Sequence, residues 1–191
     1  MRGMKAVLAV GVFLSFAGVA FAGKLENSSF EIDFGDRASL SMWGGYREAW
    51  GEAYQVNAGR ANYVERALTG ERFLLINVPP ASWNGVWQQV SWGEKQPYLW
   101  EAFYQIKGGD LPDNCSTFMK VEFYDGHDIQ LGSAVGEMRR TDTKGVWVRD
   151  SMKGVTPVGT AAIRFILIAG GNEGGEGILD RIYWDDADTV E

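Results

Sequence analysis

Hydrophobic and polar residues alternate with a period of two along much of the chain after its first 22 residues, and helical periodicity is weak there. In Phe118–Tyr124, for example, Met119, Val121 and Phe123 fall on one side and polar residues fill most of the other. This alternation is typical of strands with one buried face. Separated by Gly, Pro and Asp turn signals, such segments predict ten strands: Ser29–Ile32, Ala53–Asn57, Arg72–Val78, Gly85–Trp92, Tyr98–Lys107, Phe118–Tyr124, Gln130–Arg139, Val146–Lys153, Ala161–Ala169 and Ile178–Ala187.

The number and spacing of these segments predict the fold class. About ten short strands in 191 residues are typical of one all-β domain built as a two-sheet sandwich or a barrel. The connections are too short to hold crossover helices, so the sheets are expected to be antiparallel. Trp100, Trp147 and Trp184 are expected in the core.

Large aromatic residues on the mixed faces of three strands give the first functional hint. Trp87, Phe103 and Tyr124 alternate with core residues and share their faces with Gln, Glu, Lys and Ser. A sugar ring presents an apolar C–H patch that stacks on an aromatic ring, and its hydroxyls pair with planar polar side chains. The alternative is structural, because a second apolar layer or cross-strand aromatic pairs would give the same pattern.

The N-terminal segment has the features of a secretory signal. Arg2 and Lys5 precede an apolar run, and Ala20-Phe21-Ala22 has the small-x-small form of a cleavage site. We therefore expect residues 1–22 to be a signal peptide and residues 23–191 to be a single domain. The expected location is secreted, either extracellular or periplasmic, without membrane insertion.

The charge and the cysteine content narrow the classes of partner. Without residues 1–22 the chain has 16 basic and 25 acidic residues, a net charge of −9, which argues against nucleic acid as a partner. Cys115 is the only cysteine, so no internal disulfide is expected. His127 is the only histidine and is expected in a turn, so the chain is poorly equipped for a zinc site or a catalytic triad.

Several motifs in order resemble carbohydrate-binding modules of families four, nine and twenty-two, a galactose-binding-domain-like group. Asn27-Ser28-Ser29-Phe30-Glu31 is similar to their N-x-x-F-E opening, and Gly85-Val86-Trp87-Gln88-Gln89-Val90 to their G-hydrophobic-x-Q-x-V strand. Further matches are Tyr98-Leu99-Trp100-Glu101-Ala102, Val121–Gly126, Trp147 with Thr156–Thr160 and Ile163-Arg164-Phe165, and Ile182-Tyr183-Trp184-Asp185-Asp186. The segment from Arg37 to Ala58 has no matching pattern.

The resemblance implies a β-jelly roll that binds a polysaccharide or oligosaccharide on one sheet face and does not catalyse a reaction. Transferred by position, the carbohydrate-binding residues are expected to be Trp87, Gln89, Glu101, Phe103, Gln105, Glu122, Tyr124 and Arg164. The resemblance also implies a structural calcium near the chain ends, with Glu31 and Asp185 at the family positions and Asp33 and Asp186 as helpers.

Two other functions stay open from the sequence. A structural or adhesive surface protein would reuse the fold without a sugar site; its mixed-face aromatics would be covered, or that face would be an oligomer interface. A glycoside hydrolase needs two carboxylates about 5 to 10 Å apart. Glu101 and Glu122 are candidates if they lie on adjacent strands of one face, although the Glu-x-Asp-x-x-Glu motif of jelly-roll glucanases is absent.

Overall fold

A computed structural model describes residues 25–26, 28–30, 44–47, 52–57, 67–78, 80–171 and 178–190 of the chain. The described ranges contain strands and no helix. They therefore include no helix that could cross a membrane. The ten strands are β1 Gly44–Arg47, β2 Glu52–Asn57, β3 Arg72–Val78, β4 Trp83–Ser91, β5 Pro97–Ile106, β6 Cys115–Tyr124, β7 Gln130–Val135, β8 Val148–Val155, β9 Ala162–Gly171 and β10 Ile178–Thr189.

The strands form two five-stranded sheets. The first sheet has the order β1-β4-β9-β6-β7, and the second sheet has the order β2-β3-β10-β5-β8. Every paired strand is antiparallel to its neighbour. The fold is an all-β, antiparallel sandwich of the jelly-roll type, as the strand pattern and the resemblance predicted.

The core lies between the two sheets and is built from the alternating residues of each strand. On β5, Tyr98, Trp100, Ala102, Tyr104 and Ile106 are all buried in the main core. From the first sheet, β6 contributes Met119, Val121 and Phe123, and β9 contributes Ile163, Phe165 and Leu167. Trp100 and Trp184 are fully buried, as predicted. Because successive side chains of a strand point to opposite faces, the residues between these core positions lie on the two outer faces of the sandwich.

The strand predictions were wrong at the N-terminal side of the domain. Ser28 and Ser29 form a turn and Phe30 has a φ of 58°, so these residues are not in a strand. Phe30 has a left-handed backbone conformation, and its side chain is buried in the core. Glu31 and Ile32 lie outside the described residues. Conversely, β1 was not predicted, because Gly44 and Gly45 carry no side chains that could alternate.

One predicted strand is shorter than expected, and one glycine is required for close strand pairing. The predicted strand Gln130–Arg139 ends at Val135, and Arg139 makes only an isolated bridge with Thr117. At Gly85 on β4, a Cβ atom would lie 2.3 Å from the carbonyl oxygen of Leu167 on β9. Glycine therefore allows β4 and β9 to pair closely two residues before Trp87.

Candidate functional site

The pairing of three central strands brings five of the eight predicted binding residues together. Gln89 on β4 is opposite Arg164 on β9, and Arg164 is opposite Glu122 on β6. Trp87 lies two residues before Gln89, and Tyr124 lies two residues after Glu122, so both are on the same side of the first sheet. We call the side of this sheet that faces away from the core the first outer face.

Arg164 is the centre of this arrangement because its guanidinium lies between two aromatic rings. The guanidinium carbon is 4.1 Å from the ring centroid of Trp87 and 4.4 Å from that of Tyr124. Both distances are well within the range of cation–π contacts. Arg164 Nη2 and Nε donate to Gln89 Oε1 at 2.8 and 3.2 Å, and Nη1 donates to the Tyr124 hydroxyl at 2.9 Å. The stack therefore fixes the orientation of Trp87, Gln89 and Tyr124 together.

Glu122 is the buried anchor of the same cluster. The Tyr124 hydroxyl donates to Glu122 Oε2 at 2.7 Å, and Lys120 Nζ is 2.9 Å from Oε1. Burial acts to raise the pKa of the Glu122 carboxyl, but hydrogen bonds from Tyr124 and Lys120 and the charges of Lys120 and Arg164 outweigh it, so the pKa lies below its ordinary value. Glu122 is thus ionised at neutral pH.

The same contacts keep Tyr124 protonated. Burial, together with the hydrogen bond to Glu122 and the negative charge of that carboxylate, raises the pKa of Tyr124 to about 12. The hydroxyl donates to Glu122 and accepts from Arg164, so its main hydrogen-bonding positions are used within the protein. Tyr124 and Glu122 are 7% and 4% exposed, and so they position other side chains rather than meet a ligand directly.

In contrast to Tyr124 and Glu122, four other residues of this cluster are accessible to solvent. Gln89 is exposed and Trp87 is partly exposed. The side chains of Arg164 and Lys120 each retain 18% exposure. Gln89 Nε2 is 3.4 Å from Asp128 Oδ1 in the turn after β6. The accessible surface therefore combines one aromatic ring with an amide, a guanidinium and an ammonium, a set able to stack on a sugar ring and pair with its hydroxyls.

An apolar patch continues the first outer face along the same strands, and the sequence prediction did not include it. Phe118 on β6 and Ile166 and Ile168 on β9 are buried together, with Trp83 and Trp87 packed against them. Trp83 contacts Phe118 edge-on at 5.6 Å between ring centroids. Alternation along β9 puts Ile166 and Ile168 on the same side as Arg164. The sequence therefore held a signal that could have predicted this part of the patch.

The other three predicted binding residues do not lie on this face, so the prediction that all eight share one face was wrong. Glu101, Phe103 and Gln105 are on β5, which belongs to the second sheet. They alternate with the core residues Trp100, Ala102 and Tyr104, and therefore lie on the opposite side of the sandwich. Alternation identifies outward residues on each strand, but it does not say which sheet the strand joins.

The side of the second sheet that faces away from the core, which we call the second outer face, is mainly a packed aromatic cluster. Phe73 contacts Tyr183 and Trp147 edge-on, at 5.4 and 6.2 Å between centroids. Phe73 and Tyr183 are buried, whereas Trp147 is partly buried against them. The expectation that Trp147 fills the main core was therefore wrong.

The placement of Glu101 also removes the carboxylate pair considered for glycoside hydrolysis. Glu101 and Glu122 lie on opposite outer faces and cannot flank one glycosidic bond. Glu101 pairs instead with Arg149 on the neighbouring strand β8. The lowered pKa of Glu122 is the reverse of what a general acid requires.

The residues predicted to bind calcium are only partly described. Glu31 and Asp33 lie outside the described residues. Asp185 is fully buried, and its two carboxylate oxygens accept backbone N–H bonds from Leu68, Thr69 and Asp186. Burial is the main reason that its pKa rises to about 7. These bonds use most of the acceptor capacity of Asp185, so its environment fits a calcium ligand poorly.

Within the described ranges, no group of three His, Cys, Asp or Glu side chains could hold a metal ion. Calcium therefore stays a prediction. His127 lies in the turn between β6 and β7, as expected. Cys115 begins β6 and is buried, and burial raises the pKa of its thiol.

Comparison with known proteins supports the fold. No protein-family model matches the chain, and no curated protein matches it in sequence. A xylan-binding domain described as CBM 22 aligns with 20% identity over 83% of this chain and 90% of its own, with a TM-score of 0.52. The module TmCBM61, solved with β-1,4-galactotriose, aligns with 19% identity over 84% of this chain and 95% of its own, with a TM-score of 0.53.

Enzymes also share this architecture. A cyclase from Fischerella sp. TAU aligns with 12% identity over 86% of this chain and 94% of its own, with a TM-score of 0.55. The enzymatically active domain of the bacteriophage CBA120 tailspike protein 4 aligns with 14% identity and a TM-score of 0.54; the match covers 86% of this chain but only 20% of the tailspike. At these identities the similarities show the jelly-roll fold.

Proposed function

We propose that this protein binds a polysaccharide on its first outer face and does not catalyse a reaction. The observation that carries the proposal is the stack of Trp87, Arg164 and Tyr124, with Gln89 and Lys120 beside it. A surface that served only to stabilise the sheet would have little need for a partly exposed tryptophan against a guanidinium that is itself held by hydrogen bonds to two neighbouring strands. The xylan- and galactotriose-binding structures of the same fold support a polysaccharide as the ligand.

In this proposal the residues of the cluster have two roles. Trp87 stacks on the C–H face of a sugar ring, and Gln89, Lys120 and Arg164 pair with its hydroxyls. Glu122 and Tyr124 are positioning residues, because their polar atoms are already bonded within the cluster. The ring face of Trp87 toward Arg164 is occupied by the guanidinium, so the sugar uses the remaining exposed surface of the indole.

The proposal includes export of the protein from the cytoplasm, and the N-terminal sequence supports this part of it. The basic start, the apolar run and the small-x-small site of residues 1–22 favour export to the periplasm or the medium. Neutral polysaccharides are compatible with a strongly acidic chain, because their binding needs no attraction to phosphate or to anionic lipid.

The test is affinity gel electrophoresis of the purified protein in xylan, β-1,4-galactan, β-glucan and mannan. We expect retardation in at least one polymer. Trp87→Ala should weaken the affinity at least tenfold, because it removes the stacking surface. Phe103→Ala is the matched control, since it removes an aromatic ring from the second outer face and should leave retardation unchanged.

Three results would overturn the proposal. Absence of retardation in every polymer would favour the structural or adhesive alternative. Retardation with equal affinity of Trp87→Ala and wild type would exclude the first outer face as the binding site. Release of new reducing ends from the retained polymer, measured over hours, would show that the protein is a hydrolase and that its non-catalytic assignment is wrong.

A further inference from the structure

A second tryptophan lies on the first outer face, on the same strand as Trp87. Trp83 begins β4 and precedes Trp87 by four residues, so alternation puts both on the same side of the sheet. Both side chains are partly exposed, and both pack against the apolar patch formed by Phe118, Ile166 and Ile168. Trp83 is thus an accessible aromatic residue of this face that the hydrogen-bonded sugar-binding cluster does not use.

The ring of Trp83 is held in place by two neighbouring strands. Trp83 is opposite Gly170 on β9, where a Cβ atom would lie only 2.8 Å from Cδ2 of the indole. On β6, Phe118 contacts the same ring edge-on, with 5.6 Å between the centroids. A ring that is already held in this way loses little conformational freedom when a ligand stacks on it, and this favours affinity.

The separation of the two tryptophans determines which ligands can contact both. Four residues of a strand span about 13 Å, so the Cα atoms of Trp83 and Trp87 are about that far apart. Between them on this side of β4 is Gly85, which presents no side chain. A single sugar ring is too small to contact both tryptophans, whereas an extended oligosaccharide that lies along β4 can do so.

We propose that Trp83 is a second sugar-stacking residue, and that the ligand is therefore an extended stretch of polysaccharide lying along β4 and not a single terminal sugar. This inference rests on the proposed function of the first outer face. Trp87 contacts the guanidinium of Arg164 and also packs against the apolar patch, so the two parts of the surface are continuous.

The two ends of this surface have different tasks in the proposal. Gln89 and Arg164 lie at the Trp87 end and supply hydrogen-bonding groups, so this end selects the sugar by its hydroxyls. Trp83 lies in the apolar patch with Phe118, so it gains free energy chiefly from the C–H face of a sugar. Trp83 therefore adds affinity only for chains that are long enough to reach it.

The experiment is isothermal titration of the purified protein with xylobiose and xylohexaose. If a different polymer retards the protein in affinity gels, cello-, manno- or galacto-oligosaccharides of the same lengths take their place. We expect the hexasaccharide to bind about tenfold more tightly than the disaccharide. Trp83→Ala should weaken hexasaccharide binding about tenfold and change disaccharide binding less than about twofold, whereas Trp87→Ala should weaken both.

Two further variants control for folding and for the loss of a tryptophan as such. Trp147→Ala removes a partly buried tryptophan from the second outer face and should leave both affinities unchanged. Trp83→Leu keeps an apolar side chain beside Phe118 but loses the flat ring. It should therefore reproduce the selective loss of hexasaccharide affinity even if Trp83→Ala folds poorly.

Two results would overturn this inference while sugar binding itself is retained. One is equal hexasaccharide affinity of Trp83→Leu and wild type, and the other is equal wild-type affinity for the disaccharide and the hexasaccharide. A failure of the proposed function looks different, because the wild type would then bind neither oligosaccharide, and the inference about Trp83 would fail with it.

Discussion

The two outer faces of the sandwich carry similar numbers of aromatic residues but use them differently. On the second outer face, Phe73, Tyr183 and Trp147 pack edge to face against one another. On the first outer face, Trp87 and Tyr124 are separated by the guanidinium of Arg164. The rings of the second face thus contact one another, whereas the two rings of the first face contact a cation, with Trp87 partly exposed and Tyr124 buried.

The difference between the two faces follows from the other residues that share each face with the aromatic rings. On the first face these are Gln89, Lys120 and Glu122, which bond to one another or to Arg164 across three strands. On the second face Leu75 packs with the rings, and Gln105 is 2% exposed, with no hydrogen-bond partner for its Oε1 among the described residues. The first face therefore combines its aromatic rings with a hydrogen-bonded polar network, and the proposed binding depends on that combination.

The largest expected effect is on stability and concerns the second face. Phe73→Ala removes a fully buried ring from the centre of the aromatic cluster and should lower the free energy of unfolding by about 3–5 kcal/mol. Urea unfolding followed by circular dichroism measures this. Affinity for polysaccharide should be unchanged under conditions where the variant is folded, and a selective loss of affinity would contradict the separation of the two faces.

Next in size is the effect of changing the central cation of the first face. Arg164→Lys keeps the charge but loses the planar group that contacts both rings and donates twice to Gln89. We expect about tenfold weaker binding in affinity gels, about 1.4 kcal/mol. A lysine variant with wild-type affinity would show that charge alone, and not the stacked geometry, matters at this position.

The titration of Tyr124 tests the hydrogen bond between its hydroxyl and the buried carboxylate of Glu122. Its folded-state pKa of about 12 lies above the ordinary value near 10. The contribution of the protonated hydroxyl to the stability of the folded protein is therefore complete below pH ~10 and is lost as the pH rises toward 12. The near-ultraviolet absorbance of tyrosinate, compared with that of Tyr124→Phe, isolates this residue. Glu122→Gln should lower the pKa of Tyr124, because it removes the neighbouring negative charge; an unchanged pKa would contradict this.

The smallest expected effect is that of the exposed amide. Gln89→Ala removes one exposed hydrogen-bonding group and the acceptor for Arg164 while leaving both rings in place. We expect affinity for polysaccharide to fall about threefold, less than 1 kcal/mol, and stability to change little. Ser91→Ala, a change at another exposed position on the same side of β4, is the control. A larger loss with Gln89→Ala than with Arg164→Lys would reverse the assigned order of importance.

The amino-acid sequence by itself determined which residues of each strand face inward. The alternation in β4, β5 and β6 correctly separated core residues such as Val86, Trp100 and Val121 from outward residues such as Trp87, Phe103 and Glu122. This was possible because the two-residue period of a strand is a local property of the backbone. The fold class followed from the same pattern together with the lengths of the connections.

Only the tertiary structure decided which outward residues come together. Trp87, Arg164 and Tyr124 lie on β4, β9 and β6, which are far apart in the sequence and become neighbours in the first sheet. Glu101 and Phe103 lie between β4 and β6 along the chain, yet β5 joins the second sheet. Alternation is fixed by each strand alone, whereas sheet membership depends on long-range pairing between strands, and that difference explains why three of the eight predicted binding residues lie on the opposite face.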